Sequence, residues 1–149
     1  MGENVYINQN INFDYGYNTY IDDNSYFNFN CTFLDCAEIR IGKNVFVGPN
    51  VSFLTPVHPL LAKERNINID ENGNKYILEY CKPINVGDNV WIGGGAIVNP
   101  GVSIGNDTVI GSGSVVTKDI PSGVVAAGVP CRVIREITES DSIENIFGL

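Results

Sequence analysis

The chain carries one histidine, His58, in the run Thr55-Pro56-Val57-His58-Pro59. Imidazole is the side chain whose charge changes near neutral pH, which makes it the favoured general base for taking a proton from a hydroxyl. Pro59 biases the residue before it toward an extended backbone, so this imidazole stands on stiff chain. A lone histidine serves equally well to pack or cap a loop, and its type alone leaves both readings open. A catalytic zinc held by three imidazoles finds too few ligands in one chain, and three copies of His58 would have to meet on a symmetry axis. The four cysteines, Cys31, Cys36, Cys81 and Cys131, show no C-x-x-C pairing and read as reduced packing residues, so no metal site is expected. Gly93-Gly94-Gly95 lacks both the G-x-G-x-x-G spacing and the Lys-Ser/Thr of a phosphate loop.

The elements that must position His58 show in a six-residue rhythm. Val86, Ile92, Val98, Ile104, Ile110 and Val116 recur at strict intervals of six. Neither the 3.6 period of a helix nor the 2 period of a strand yields this, so the unit is a short flat run plus a turn, stacked repeatedly. Gly87, Gly93, Gly105 and Gly111 follow four of these positions, and four residues on stand Val90, Ala96, Val102, Thr108 and Ser114. The backbone turns tightly there and excludes bulk. The same register runs back through Ile41, Val47 and Phe53, through Phe27 and Phe33, and through Ile7 and Phe13, with two-residue slips between 13 and 21 and between 33 and 41. The spacing predicts an all-β fold, a parallel β-helix of hexapeptide repeats. Three hexapeptides make one triangular coil, and each coil buries its apolar face only against its neighbours.

The register holds to Phe53 and resumes near Ile84, so an extruded loop is expected over about residues 54–83. Pro56, Pro59, Gly73 and the polar run 66–75 suit an exposed excursion. Long loops in compact domains are usually functional or disordered. His58 stands at the mouth of this one, which brings the general base level with the packing role and leaves both open.

At 149 residues and 44% hydrophobic, the chain is expected to form one domain, 1–149, with a short polar tail over 138–149. A chain of this length buries roughly two-thirds of its unfolded surface. The formal charge of -8 argues against a nucleic-acid or anionic-membrane surface, although local basic spots can hold phosphates. The chain opens without a basic n-region or apolar h-region, and nowhere do eighteen apolar residues run together, so a cytoplasmic protein is expected.

Beyond the repeat, an ordered set of segments is similar to the maltose and galactoside O-acetyltransferases. It comprises Asn12-Phe13-Asp14-Tyr15-Gly16-Tyr17-Asn18, Asn28-Phe29-Asn30, Leu34-Asp35, His58-Pro59 and Asn89-Val90-Trp91-Ile92-Gly93, then Val98-Asn99-Pro100-Gly101-Val102, Val116-Thr117-Lys118-Asp119-Ile120-Pro121 and Gly128-Val129-Pro130-Cys131-Arg132-Val133-Ile134. The resemblance covers roughly residues 12–137. It implies a left-handed β-helix, an exception to the usual right-handed crossover. It also implies an acetyl-CoA-dependent transferase that needs no metal, and a homotrimer with active sites between subunits, His58 facing the Trp91 coil of a neighbour.

By the same resemblance, His58 takes a proton from a sugar hydroxyl as that oxygen attacks the acetyl thioester, and the backbone N–H of Gly94 serves the oxyanion. Asn28, Asp35 and Asp14 match acceptor-binding positions. Trp91, Ser112, Thr117 and Lys118 match residues along the pantetheine arm, and Arg132 and Arg135 match those near the nucleotide phosphates, where guanidinium binds bidentately. Simpler roles stay open for several of them: Asn28 as a corner residue of the coil, Asp35 as a turn cap, and Arg132 and Arg135 as solvated charges on a closing strand.

The chain departs from the family at three places. Cys36 stands where some galactoside enzymes carry a second carboxylate. Relatives usually carry a helical segment ahead of the Asn-Phe-Asp-Tyr-Gly stretch, which here begins near the start, so a short form is expected with a more open acceptor pocket. The loop over 64–82 is longer, and the run 66–75 is expected to rebuild part of that wall. The same fold and cofactor also serve enzymes acting on antibiotics, amino sugars or serine-like hydroxyls, and a silent trimeric scaffold is the reading from another class.

Overall fold

The computed structural model describes residues 1–148, and the six-residue rhythm becomes three parallel sheets wrapped round one core. The first face stacks Tyr6–Ile7, Tyr26–Phe27, Phe46–Val47, Trp91–Ile92, Val109–Ile110 and Val124–Gly128. The second stacks Asn12–Phe13, Thr32–Leu34, Ser52–Leu54, Ile97–Val98 and Val115–Val116. The third stacks Thr19–Ile21, Ile39–Ile41, Ile84–Val86 and Ser103–Ile104, continued by a bridge to Ile120. The result is the expected parallel β-helix of hexapeptide coils.

Each strand is only two or three residues long in the coils, so one side chain per face points inward. The predicted column is buried from Phe27 and Phe33 through Ile110 and Val116. Phe33 stacks on Phe53 and on Phe13 with ring centroids 4.9 Å apart in each pair. Phe13 itself is exposed and Ile7 half-buried, because the first described coil has a neighbour on one side only. The small positions Val90, Ala96, Val102, Thr108 and Ser114 are buried under the corners, as expected.

The corners between faces explain the asparagines. Asn4, Asn24, Asn44, Asn89 and Asp107 stand two residues before successive strands of the first face, all in the left-handed region with φ of 54 to 59°. Asn and Asp tolerate that region better than other side chains. They also link coil to coil: Asn44 Nδ2 donates to Asn89 Oδ1 (3.1 Å) and Asn89 Nδ2 to Asp107 Oδ1 (2.9 Å). Where coils touch most closely only glycine fits, since a Cβ on Gly93 would stand 2.5 Å from the Ser112 amide nitrogen.

Within the stacked coils, the departures from the six-residue register fall at one edge, between the second and third faces. Both two-residue slips fall there, in the segments 14–18 and 34–38, and the extruded loop leaves the third coil at the same edge after Ser52–Leu54. The loop contains a short helix, Ala62–Arg65, and a hairpin pairing Asn68–Ile69 with Lys75–Tyr76. At the far end Val124–Gly128 turns back into Cys131–Glu136, antiparallel. The tail, expected only to be polar, forms a 3-10 turn at Glu139–Asp141 and a helix at Ile143–Phe147, and Thr138 and Asp141 cap each other at its start. Among the described residues no helix is long and apolar enough to cross a membrane.

Candidate active site

The mouth of the loop is fastened by a buried threonine. Thr55 Oγ1 donates to the Leu34 carbonyl (2.6 Å) and accepts the Ala37 N–H (2.9 Å), tying the third coil to the corner below it. From there Pro56–Val57 pairs antiparallel with Tyr80–Cys81, Val57 opposite Tyr80 and Pro56 opposite Cys81. One step further along the same register His58 meets Glu79, with Nε2 3.2 Å from Oε2. Glu79 was not singled out from the sequence. Only the pairing of the two loop ends brings it forward, and the length of the excursion hides that register.

Around this pair the edge is anionic. Cys36 Sγ donates to Asp14 Oδ2 at 3.3 Å, and Cys36 Sγ, Cys81 Sγ and a Glu79 carboxylate oxygen lie within 4.8 Å of one another. Burial pushes the Cys36 thiol up to about 12, helped by its bond to Asp14 and by the charges of Cys81, Asp14 and Glu79. The neighbouring Cys36, and after it Asp14 and Tyr17, also raise the Tyr15 phenol. Tyr15 and Tyr17 are exposed, their rings 5.4 Å apart. The edge therefore offers a base facing a carboxylate, an exposed hydrogen-bond acceptor at Asp14 and two aromatic rings.

Asp35 requires a correction. Expected at the acceptor, it is fully buried, and its carboxylate is consumed by the corner below. Oδ1 accepts the N–H groups of Tyr15 (2.8 Å) and Gly16 (3.2 Å), and Oδ2 those of Gly16 (2.9 Å) and Asn18 (3.2 Å) together with the Thr19 hydroxyl (3.2 Å). Burial works against its ionisation, but those bonds outweigh it and hold the carboxyl below the usual range. Asp35 shapes the slipped corner that carries Asp14 and Tyr15; it presents nothing to an acceptor.

The remaining candidates lie elsewhere on the prism. Asn28, Gly94 and Ser112 sit on the edge between the first and second faces, and Trp91 is exposed on the first face, in register with Phe46 and Val109. Asn28 Oδ1 accepts the Phe29 N–H (2.8 Å). The Gly94 N–H makes no hydrogen bond among the described residues. Lys118 and Arg132 line a cleft of about 280 Å³ with Asp119, Ile120, Cys131 and Val133, and Thr117 is exposed beside it. Arg135 is forked onto Asp141, with both contacts 2.7 Å, so its guanidinium is already committed. In one chain, then, His58 and Asp14 share an edge, Asn28 and Gly94 share another, and Lys118 and Arg132 lie at the far end.

Comparison with known proteins gives this arrangement a setting. The family model for the bacterial transferase hexapeptide (six repeats) matches residues 83–118. The chain is 48% identical over 141 residues to the galactoside O-acetyltransferase of Escherichia coli (strain K12), a match covering 95% of this chain and 65% of that protein. Against the crystal structure of a maltose O-acetyltransferase from Clostridium difficile 630 it is 49% identical with a TM-score of 0.84, covering 93% of this chain and 70% of the other. Against a galactoside acetyltransferase in complex with coenzyme A it is 45% identical, with a TM-score of 0.77, covering 91% and 66%.

Proposed function

This chain belongs to the hexapeptide-repeat acetyltransferases that include the galactoside and maltose enzymes, and on that premise we propose that it transfers acetyl from acetyl-CoA to a sugar hydroxyl. The observation that carries the reading is the pairing of His58 with Glu79 at the mouth of the extruded loop. A carboxylate accepts hydrogen bonds and does not donate them, so Glu79 beside Nε2 suits the tautomer with its proton there and leaves the Nδ1 lone pair for the acceptor. Nδ1 takes the hydroxyl proton as the oxygen attacks the thioester carbonyl. The tetrahedral intermediate collapses, the C–S bond breaks, and the imidazolium returns the proton to the departing CoA sulfur. General base catalysis of this kind contributes about 10² to 10⁴ in rate, and no metal enters the step.

The placement of the other residues supports a homotrimer. His58 and Asp14 occupy one edge, while Trp91, Asn28 and the free Gly94 N–H occupy another face and edge. Juxtaposing neighbouring subunits brings the base of one chain to the oxyanion donor and acceptor-binding Asn28 of the next. Trp91, Ser112 and Thr117 then line the pantetheine arm, and Lys118 and Arg132 meet the CoA phosphates. Arg135 joins them only by leaving Asp141. The setting for this chemistry is the cytoplasm, where acetyl-CoA is made and used. The anionic surround of His58, from Asp14 and Glu79, favours a second acceptor class, an amino-bearing sugar or antibiotic whose cation these carboxylates attract.

The test follows free-thiol release from acetyl-CoA over a panel of glucosides, galactosides, maltose, amino sugars and aminoglycoside-like acceptors, with His58→Ala alongside. Turnover on a neutral sugar that falls by about 10² or more in the variant is the expected result. Preference for amino sugars selects the second class. Absence of release with every acceptor overturns the reading and leaves a trimeric scaffold, and equal release in the variant overturns His58 as the base.

A further inference from the structure

Transfer chemistry leaves a cluster at the loop mouth unused. Cys36 comes from the slipped corner of the second coil, while Glu79 and Cys81 come from the return strand of the loop. Their two sulfurs and a carboxylate oxygen lie within 4.8 Å of one another. Any three atoms so spaced leave a point within about 2.8 Å of all of them, and Zn–S and Zn–O bonds are ~2.3 Å and ~2.0–2.2 Å, so small side-chain shifts close the site. Cys36 and Cys81 are both half-buried and unpaired by disulfide, hence open to a ligand from the edge. The fourth position of a tetrahedron is open to His58, whose Nε2 stands 3.2 Å from Glu79 Oε2; the imidazole lies outside the three-residue cluster and swings toward the sulfurs to enter it. Two sulfurs, an imidazole nitrogen and a carboxylate suit zinc and reject magnesium or calcium, which prefer all-oxygen shells.

We propose that Cys36, Glu79 and Cys81, with His58 Nε2 as fourth donor, bind a thiophilic divalent cation such as Zn²⁺, and that occupancy switches off acetyl transfer. On binding, both thiols release their protons to solvent and bond the metal as thiolates. Glu79 turns from the imidazole to the metal and Nε2 becomes a ligand, which fixes the ring away from the acceptor hydroxyl. The inhibitory half of the proposal rests on His58 being the base; the binding half does not.

Cobalt is the probe, because tetrahedral Co²⁺ with thiolate ligands absorbs strongly in the near ultraviolet and visible. Titrating the full chain in a thiol-free reductant should give these bands, saturating at one cobalt per chain, and Zn²⁺ should bleach them. Cys36→Ser and Cys81→Ser should each weaken binding by ~10² or more, beyond the cost of losing a supporting hydrogen bond at a metal site. Unchanged thermal melting of the metal-free variants shows that they fold. In the thiol-release assay, read with a thiol reagent after removal of metal by chelation, Zn²⁺ should abolish turnover at the occupancy the titration reports. Cys81→Ser should keep its turnover and lose the zinc sensitivity. Bands that are absent, or that persist in both serine variants, overturn the site. A saturated site with undiminished turnover overturns the switch. Failure of the metal-free protein to transfer acetyl counts against the transferase reading, while the cobalt spectrum still decides the site.

Discussion

Glu79 Oε2 stands 3.2 Å from His58 Nε2 because two short strands, Pro56–Val57 and Tyr80–Cys81, bring the ends of the loop into antiparallel register. The contact is thus set by the backbone ladder and by Thr55 beneath it. Its expected role is to fix the tautomer and aim of the base. Both side chains remain partly exposed, so the pair is worth about 1 kcal/mol at most. Glu79→Gln should therefore lower kcat by up to about fivefold with the acceptor KM unchanged. Steady-state kinetics decide the matter. A raised KM with kcat intact would instead assign Glu79 to acceptor binding.

Asp35 yields a prediction about folding. Asp35→Asn sets an amide NH₂ among backbone N–H donors, leaving at least one buried donor unpaired. The expected loss is about 2–3 kcal/mol, roughly 5–10 °C in Tm for a chain of this size. The pH dependence follows from the depressed carboxyl. A carboxylate whose pKa is lowered by folding contributes its full stability above the unfolded value, about 3.9, and loses it as pH falls through the lower folded value. The gap between wild type and variant should be constant from pH 5 to pH 8 and shrink below about pH 4. Melting curves across that range test it. A gap independent of pH would mean that the corner uses the shape of Asp35 and not its charge.

The loop hairpin separates stability from recognition. No residue of Asn68–Ile69 or Lys75–Tyr76 is buried, and Ile67, Ile69, Tyr76 and Ile77 are all exposed. Removing 66–75 and joining the ends with a short Gly-Ser link should leave Tm within about 2 °C, since surface changes away from the core cost little. The expectation that the run rebuilds part of the acceptor wall requires the acceptor KM to rise. An unchanged KM would show that the hairpin takes no part in the acceptor site.

What the sequence revealed depended on whether the signal was periodic. Val86 through Val116 disclosed the coil because every sixth residue fills the same inward column, and the break between Phe53 and Ile84 located the loop and His58 with it. Asp35 was misread because its partners exist only when two slipped corners, 14–18 and 34–38, stack on each other. Arg135 looked free until the tail folded back to present Asp141. Cys36 and Cys81, 45 positions apart, carry no motif, and only the loop register sets them side by side. Periodic burial is local and repeats itself in the chain. Pairing between a corner and a distant return strand leaves no such trace.

Asn89 tests how the corners are held. It sits at φ 57°, receives a bond from Asn44 and gives one to Asp107. Asn89→Gly removes both exposed side-chain bonds but adopts the left-handed conformation freely. Asn89→Ala removes the same bonds and adds the clash of Cβ with the following carbonyl, about 1–2 kcal/mol. Denaturant unfolding should therefore rank wild type above Gly and Gly above Ala, with the Gly-to-Ala step the larger. Trp91 lies two residues on, at the candidate cofactor face, so the KM for acetyl-CoA tells whether a corner transmits strain to that face. A coil contacts only its stacked neighbours and its ladder bonds fix Trp91 to Phe46 and Val109. The KM should then be the same in all three proteins, and a change confined to Ala would place Asn89 among the residues that position Trp91.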